Sequence, residues 1–561
     1  MKKTACRILL SVTLGAMVLP ATGSAQRGGG PFEGVRSVSV RGNKEIASEA
    51  ANILGWRAGI AVDSIGAASF SDAAAKADAA GAGYVLGSSK TLDYNMAGAD
   101  VAKAKNRLAE LRLRMPVYDA GAIPADAGAR RTLFNVAKAL GAEIIVGSAD
   151  AAALADLEKL ATENGVKIAL TGMTAAALQG RSDNLGAAVE TPEQATAAKG
   201  RVLVATLRSA NTMATLLAAL SQQEPPATVP WPPACADCAG PMTPVKPTFI
   251  AINVSGGDTA LTQAIDAFAK AVQPIEGARI NQISKNTPIT STDSVPVLDR
   301  LMIQATVQRL AAAPPKQPRK LLVIDLCPQG GFYHRTIAHG NLWIEQAAKQ
   351  TKAFTPTFSN DLDNLKYPKI KEYDAIFLNS IVGPVFADPE VTAGLMRFVR
   401  EGGGVAGIHG STYASQDVPA FGEMMGATAG PHRIESSVLK VEDPSSPLTR
   451  QFSGPDYGSV DEHYHFPATT PYTREKLHVL LSIDNAKSDM TEWKGIRPDE
   501  DYAMAWIRSY GQGRVFTTVL GHTAQLLATP ELSQMVFAGT QYALGDLAAD
   551  ATPSAKIVMK K

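Results

Sequence analysis

One short phrase recurs between about residues 55 and 260: an alanine-rich helical pattern, a glycine, and then a short strand rich in β-branched residues. Examples are Leu133 to Leu140 before the strand at Ile144, and Leu154 to Glu163 before the strand at Val166. Apolar strands that alternate with helices predict a parallel sheet covered on both faces. About eight such units suit a closed (β/α)₈ barrel, and an open sheet is the alternative.

A second α/β unit is predicted from residue 319 to residue 546. Its sequence contains a buried strand at Leu321 to Leu326, another at Asp374 to Ser380, and a helix that three glycines stop after Glu401. The next strand, Val405 to Ile408, runs into His409-Gly410-Ser411. This spacing is typical of a strand-to-helix elbow, in which small neighbours leave the central side chain exposed above the sheet. The exposed side chain would be His409.

The remaining segments give the domain boundaries. We predict a barrel over residues 26–274, a proline-rich connector over 275–318 and a fraying tail over 547–561. Within the connector, an amphipathic helix is expected near Val297 to Leu310. The prolines that follow it favour an extended, semi-rigid spacer.

The first 25 residues have the pattern of an export signal. Lys2 and Lys3 precede an apolar run from Ile8 to Pro20, and small residues follow that suit a signal peptidase. We therefore expect an exported protein, periplasmic or extracellular. No later stretch approaches the roughly 20 apolar residues of a membrane span, so no membrane insertion is expected after signal removal.

Cys235 and Cys238 form a CxxC pair between proline-rich flanks. Haem attachment would require a histidine directly after Cys238, and a zinc site would require a second ligand pair nearby. The pattern therefore favours a local disulfide, as expected in an oxidising compartment, over a redox role.

Charge excludes some classes of partner. The chain has 54 basic and 53 acidic residues and a formal net charge of +1, so no overall field attracts nucleic acid or an acidic membrane surface. Small-molecule chemistry or protein contact remains, and a homo-oligomer is compatible with this composition.

All eight histidines lie between His334 and His522. Imidazole is the side chain best suited to move protons near neutral pH, and it is a frequent metal ligand, so the chemistry is expected in the second half of the chain. His409 and His522 both follow predicted strands, where α/β folds place their ligands. His463 and His465 alternate with Glu462 and Tyr464 along an extended segment, so at most one of these two pairs can face a pocket.

The segment LGAEIIVGSADAAALADLEKLATENGVKIAL resembles the xylose-isomerase-like family of sugar isomerase and epimerase barrels. The resemblance implies a TIM-like barrel in which carboxylates and histidines after the later strands hold a divalent metal beside the sugar. The corresponding strand ends here offer one strong ligand, Glu190, which cannot build such a cage alone. We therefore expect a catalytically degenerate barrel with a scaffolding or subunit-contact role. A retained sugar-binding groove is the alternative.

Several motifs of the second unit, in order, closely resemble the trehalose-utilisation (ThuA-like) domain, a branch of the class I glutamine-amidotransferase-like fold: GGFYHRT, YDAIFLNS, FVREGGGVAGIHGST, VDEHYHF and AMAWIRSYGQGRVFTTVLGHT. The resemblance implies a flavodoxin-like α/β sandwich. In the amidotransferase relatives the elbow residue is a cysteine, whereas here it is His409, and Cys327 lies on the first strand. Glutamine hydrolysis is therefore excluded.

Members of the ThuA-like family are linked with the breakdown of trehalose and related glycosides through 3-keto sugars. The resemblance thus implies a sugar or glycoside substrate and acid–base catalysis, because a ketone at C3 acidifies the C2 proton. The predicted catalytic residues are His334, His409, Glu462 and His522. The predicted substrate-binding residues are His432, Asp461, Tyr464 and Arg508.

Two alternatives stay open. His409, His522 and Glu462 form a ligand set for a divalent metal, which would give a metal-dependent hydrolase; the sequence itself predicts no cofactor. The opposing class is a non-catalytic carbohydrate-binding or assembly protein. For the enzyme class, hydrolysis, elimination and isomerisation of a sugar or glycoside all stay open.

Overall fold

The computed structural model describes residues 54–222, 248–253, 255–328, 333–416 and 418–557. The predicted signal peptide and the Cys235–Cys238 pair lie outside these residues. No helix among the described residues is both long enough and apolar enough to cross a bilayer.

The N-terminal domain is a closed barrel of eight parallel strands in sequential order, which confirms the predicted fold class. The strands are β1 (Trp56–Ala61), β2 (Tyr84–Ser88), β3 (Arg114–Ala122), β4 (Ile144–Ser148), β5 (Lys167–Thr171), β6 (Leu185–Val189), β7 (Val202–Leu207) and β8 (Thr248–Ile252). The helices around them are α1 (Phe70–Ala79), α2 (Gly98–Glu110), α3 (Ala127–Ala139), α4 (Leu154–Asn164), α5 (Pro192–Ala197), α6 (Ala210–Ser221) and α7 (Gly257–Asn286). The described residues 172–184 connect β5 to β6 without an α-helix.

The C-terminal domain contains one mixed sheet of nine strands. These are β9 (Lys320–Ile324), β10 (Thr355–Phe358), β11 (Ala375–Asn379), β12 (Gly404–Ile408), β13 (His432–Val441), β14 (Asp456–Tyr464), β15 (His478–Ile483), β16 (Ala503–Tyr510) and β17 (Gly513–Thr518). Their order is β10-β9-β11-β12-β17-β16-β15-β13-β14. The first five are parallel. Numbered along the chain, they have the flavodoxin-like order 2-1-3-4-5.

Helices cover both faces of the parallel strands, which is why β9, β11 and β12 are buried almost throughout. The helices of this domain are α8 (Val297–Val307), α9 (Thr336–Thr351), α10 (Pro389–Arg400), α11 (Pro419–Met425), α12 (Gln525–Ala528) and α13 (Pro530–Leu544). Residues of α9 and α13 share one apolar core, and residues of α10 and α11 share the other. Antiparallel strands β13 to β16 extend the sheet beyond β17, and β14 forms its edge.

One helix belongs to both domains. The first half of α7 contributes Phe268 and Val272 to the barrel core, whereas Ile280 is buried in the core of the C-terminal domain. Pro274 lies between the two halves. The boundary predicted between residues 274 and 275 therefore falls inside a continuous helix.

The connector is fixed on the C-terminal domain and does not form a free spacer. The backbone N–H of Thr290 donates to Asp325, and the hydroxyl of Thr306 donates to the carbonyl oxygen of Leu527. In the proline-rich segment, the N–H of Ala313 donates to Gln541. The proline-rich segment is non-helical, as its prolines imply, but it does not act as a spacer between the domains, because a side chain of α13 binds its backbone to the C-terminal domain.

The tail also packs against this domain as far as it is described. The N–H of Ser554 donates to the carbonyl oxygen of Leu477, and the carbonyl oxygen of Thr552 contacts His478 at 2.8 Å. The expected fraying of residues 547–557 is therefore wrong.

Candidate active site

The site lies where β12 ends. His409 follows β12 with a backbone φ of 44° and begins the 3-10 turn His409–Thr412. A Cβ atom added to Gly410 would lie 2.7 Å from Val382 and 3.2 Å from His334. Only a glycine lets the turn approach both neighbours this closely, so the small residues of the predicted elbow have a steric cause.

His409 is fully buried at the base of the site. Its Nδ1 lies 2.8 Å from the carbonyl oxygen of Val519, so Nδ1 carries the hydrogen and Nε2 points into the site. Nε2 lies 3.0 Å from Nε2 of His334 and 3.4 Å from the hydroxyl of Tyr464. The prediction that His409 stands exposed is wrong because the segment after β17 lies against it: a Cβ atom added to Gly521 would be 3.2 Å from the Cβ atom of His409.

Glu462 is the carboxylate on which the histidines converge. It lies on edge strand β14, and its Oε2 is 3.4 Å from His409 Nε2 and 3.3 Å from His522 Nδ1. Its other oxygen, Oε1, is 3.8 Å from Nε2 of His432. The turn after β12, the first residue of β13, strand β14 and the loop after β17 thus meet at one carboxylate. We call His334, His409, His432, Glu462 and His522 the histidine cluster.

Asp461 positions the loop that carries His522. Its carboxylate accepts hydrogen bonds from the backbone N–H groups of Gly521, at 2.8 Å, and Thr523, at 3.0 Å. It also accepts the N–H of Glu462 at 2.8 Å. Because Asp461 is buried and occupied by these three donors, it orients His522 through the backbone and does not itself face a substrate.

Burial and neighbouring charges set the protonation states of the cluster. Burial lowers the pKa of His334 well below its ordinary value, and His409 and His522 lower it further, so His334 is neutral near pH 7. Burial alone would raise the pKa of Glu462, but His409 and His522 outweigh that effect and hold the pKa well below its usual range. Burial raises the pKa of Tyr464, which stays a neutral phenol. The cluster thus combines an ionised carboxylate with at least one neutral imidazole.

Four members of the cluster could hold a metal ion. His334, His409, Glu462 and His522 each offer one ligand atom, and these atoms all lie within 4.8 Å of one another. Four donors around an ion with tetrahedral bonds of about 2.0–2.1 Å are separated by about 3.3 Å. The separations of 3.0, 3.3 and 3.4 Å given above are close to that value. The hydrogen bond from His409 to Val519 also fixes the ring as outer partners of metal ligands do.

Of the eight predicted site residues, the structure brings six side chains together. These are His334, His409, His432, Glu462, Tyr464 and His522. Arg508 is elsewhere: it pairs with Val515 in the middle of β17, and its guanidinium group donates to the carbonyl oxygen of Glu423. Its placement at the sugar was based on the motif alone, and the antiparallel register of β16 carries it away from the strand ends.

Sequence reasoning missed Tyr413. Its ring centroid lies 5.5 Å from that of His432 and 6.3 Å from that of Tyr464, so it forms part of the site wall. Tyr413 follows His409 by four residues, and the turn that begins at His409 brings it back over the same strand ends. The four-residue spacing between His409 and Tyr413 is the sequence feature that could have identified Tyr413 as a site residue.

A second group of buried histidines lies on the opposite face of β14. His463 and His465 both contact Glu435, at 3.5 and 3.3 Å, and the His465 ring stacks on Trp493 with centroids 3.8 Å apart. Glu462 and Tyr464 are thus the pair that faces the site, and the strand alternation separates the two groups.

The barrel offers no comparable cluster in the part of the chain that the structure describes. Glu190, the expected lone ligand, forms a two-pronged ion pair with Arg208. Across the described ranges, the His334 group is the one set of three or more such side chains that meets the spacing for a metal. Cys327 is buried, and burial raises the pKa of its thiol far above the ordinary value, so it is not an activated nucleophile.

The fold and the site define a two-domain α/β protein, with a closed barrel joined to a mixed sheet that carries a histidine–carboxylate cluster. Residues 322–543 match the sequence model of the ThuA family, described as trehalose utilisation. The segment coincides with β9 to α13, so the C-terminal domain is the part of the chain that is similar to the ThuA family. No curated protein matches the chain.

Three solved structures are similar to parts of the chain. A protein from Bacteroides uniformis described as ThuA-like is 16% identical and covers 44% of this chain and 99% of its own, with a TM-score of 0.34. A xylose isomerase domain protein from Alicyclobacillus acidocaldarius is 11% identical and covers 39% of this chain and 100% of its own, with a TM-score of 0.26. D-psicose 3-epimerase from Clostridium cellulolyticum is 10% identical and covers 38% of this chain and 96% of its own, with a TM-score of 0.27.

Proposed function

We propose that this protein is a carbohydrate-processing enzyme whose ThuA domain acts on an oxidised, 3-keto glycoside by acid–base catalysis. The description of the matched family supports a carbohydrate substrate. The observation that carries the proposal is the convergence of His409, His432 and His522 on the single carboxylate of Glu462. Such an arrangement holds and moves protons without a covalent nucleophile.

The reaction balances without an oxidant or reductant. A base takes the C2 proton, which the C3 ketone has made acidic, and the electron pair becomes an enolate. The enolate expels the substituent at C1 as the C1–O bond breaks, and an acid gives that oxygen its proton. Water can then add to the double bond between C1 and C2, which completes a net hydrolysis. Each proton transfer by a positioned group contributes about 10²- to 10⁴-fold in rate.

The solvent exposure of the histidine side chains suggests how the acid and base roles are divided among them. The side chains of His432 and His522 are 31% and 23% exposed and lie on either side of Glu462, whereas His409 is fully buried. We assign the base to His522, whose imidazolium Glu462 stabilises, and the acid to His432. His409 and His334 hold the carboxylate and the rings in place from beneath.

A metal-dependent version is the second candidate, and the donor spacing favours it. An ion held by His334, His409, Glu462 and His522 would act as a Lewis acid toward the ketone or activate a water molecule. In that version the same four residues are ligands, and His432 remains the proton donor.

The test is turnover of 3-keto-trehalose and a 3-keto-glucoside by His522→Asn, His432→Asn and Glu462→Gln, each with and without a chelator. His478→Asn is the matched control, because His478 is a buried histidine of the same domain held by Asp443 and Thr552. We expect the three site variants to lose at least about 100-fold in kcat and the control to keep its rate. Equal rates in all four variants would refute the proposal, and inactivation by chelator alone would select the metal-dependent version.

A further inference from the structure

Two exposed aliphatic side chains lie beside the histidine cluster. Ile434 is 57% exposed and Val460 is 53% exposed, although both occupy regular positions in the sheet. In the described part of the chain, the other large hydrophobic side chains with comparable exposure are Val297, Leu298, Leu301 and Met302 of α8 and Ile557 of the tail. Ile434 and Val460 differ from these in lying next to groups that could perform chemistry.

Strand register places both residues on the face that carries Glu462. Ile434 on β13 is directly opposite Glu462 on β14, and Val460 precedes Glu462 by two residues. Directly opposed residues, and residues two apart on one strand, project from the same face of a sheet. His432 and Tyr464 form the next opposed pair along the same face. The row of reacting groups therefore continues without interruption into an aliphatic surface.

The loop of His522 borders this surface on its other side. The backbone N–H of Val460 donates to Gln525 at 3.0 Å, and the hydroxyl of Thr523 donates to the carbonyl oxygen of Val460 at 3.2 Å. These two bonds also satisfy the edge-strand backbone at Val460. A molecule seated on Val460 would thus touch the elements that hold both Glu462 and His522.

The chemistry of the surface selects its occupant. Neither side chain can donate or accept a hydrogen bond, so a second sugar placed there would lose water from its hydroxyls without replacement. A stable protein partner typically covers about 800 Å² on each side, far more than two half-exposed side chains provide. An alkyl or aryl group gains free energy from the contact and loses no hydrogen bond.

We infer that Ile434 and Val460 form a subsite for an apolar leaving group, so that the preferred substrates are 3-keto glycosides of alkyl or aryl alcohols. The inference rests on the proposed function, because it places the C1 substituent of the same substrate. It extends that function by naming the class of aglycone.

The experiment compares the methyl and hexyl 3-keto-glucosides. The ratio of kcat/KM for hexyl over methyl is measured in the wild type, Ile434→Ser and Val460→Ser, with Leu298→Ser on α8 as the exposed aliphatic control. We expect a wild-type ratio of roughly ten, a several-fold smaller ratio in the two subsite variants, and the wild-type ratio in the control. All three variants alter exposed positions, and circular dichroism checks that they fold.

A binding measurement separates the inference from the proposed reaction. Calorimetric affinities of both glucosides are measured for Glu462→Gln and for Glu462→Gln with Ile434→Ser. Tighter binding of the hexyl compound that depends on Ile434 supports the subsite even if the wild type turns neither compound over, which would refute only the reaction. A wild-type ratio near one, or an unchanged ratio in both serine variants, overturns the subsite and leaves the reaction standing. A change in oligomeric state in Ile434→Ser with an unchanged ratio overturns it too, in favour of a contact between copies.

Discussion

His409 and His334 approach each other to 3.0 Å between their Nε2 atoms, although 75 residues separate them in the chain. His409 is committed to donating its Nδ1 hydrogen to Val519, and burial keeps His334 neutral. A single hydrogen can therefore lie between the two Nε2 atoms, or a metal ion can replace it. This buried pair lies at the base of the site, beneath the more exposed His432 and His522.

Replacement of the buried His334 by asparagine should distinguish a positioning role of this residue from a role as a metal ligand. If the cluster works by proton transfer alone, we expect kcat to fall by about tenfold or less, because His334 is neutral and buried, whereas His522→Asn costs about 10² to 10⁴. Steady-state kinetics and metal content of the purified variant are the measurements. A loss in His334→Asn as large as that in His522→Asn, with loss of bound metal, would contradict the metal-free version.

Asp461→Asn should act on His522 through the backbone. The amide group has one acceptor oxygen, so at least one of the buried N–H groups of Gly521, Thr523 and Glu462 loses its partner. We expect the free energy of unfolding to fall by about 1–3 kcal/mol, and kcat to fall more than KM rises. Denaturant unfolding and kinetics test this, with Asp456→Asn as the control on the same strand, since Asp456 forms an exposed ion pair with Lys487. An equal effect in both variants would show that Asp461 has no special role.

His465 should make stability depend on pH. Burial lowers its pKa from 6.5 to about 3 in the folded protein. Between these values the unfolded chain binds a proton that the folded protein excludes, so the free energy of unfolding falls as the pH falls below about 6.5. At pH 5 the loss from this group is about 2 kcal/mol relative to pH 7.

The matched variant is His465→Phe, which keeps a ring to stack on Trp493 but cannot bind a proton. Urea unfolding at pH 7, 6 and 5 should give a shallower decrease in this variant than in the wild type. Buried His334 also makes stability depend on pH, but it does so equally in both proteins and therefore cancels from the comparison. Parallel curves for the two proteins would contradict the assignment.

The contact between the domains should be sensitive to Gly277. A Cβ atom there would lie 2.7 Å from the Cα atom of Asp388, at the start of α10. Gly277→Leu should therefore force α7 away from the C-terminal domain and reduce stability by about 1–3 kcal/mol. Calorimetry and solution scattering measure the effect. Gly454→Leu is the control because nothing lies within 4 Å of its Cβ position, and equal melting of the two variants would contradict the prediction.

Local sequence patterns predicted much of the fold. The strand at Ile144 occurs as expected, because a short β-branched run that follows a helix and a glycine leaves little freedom. The second domain was predictable for the same reason: its buried parallel strands are apolar throughout. The glycines around His409 also indicated the tight turn correctly, since their role is local and steric.

Long-range pairing was less predictable. The sequence could not show that the loop after β17 covers His409, or that the register of β16 moves Arg508 away from the strand ends. The split of Glu462 and His463 onto opposite faces was expected, but the chemistry of each face depended on β13, which supplies Glu435. The packing of the proline-rich segment on the C-terminal domain was not predictable, because partners such as Gln541 come from more than 200 residues away in the chain.

The shared helix α7 makes the two halves of the molecule difficult to separate. A cut after residue 274 would divide this helix in its middle. A cut after residue 318 would remove Ile280 from the core of the C-terminal domain and leave that residue and the second half of the helix projecting into water from an isolated barrel. Heating should therefore melt both halves in a single transition, and a recombinant C-terminal domain should be soluble only if it begins before Gly277.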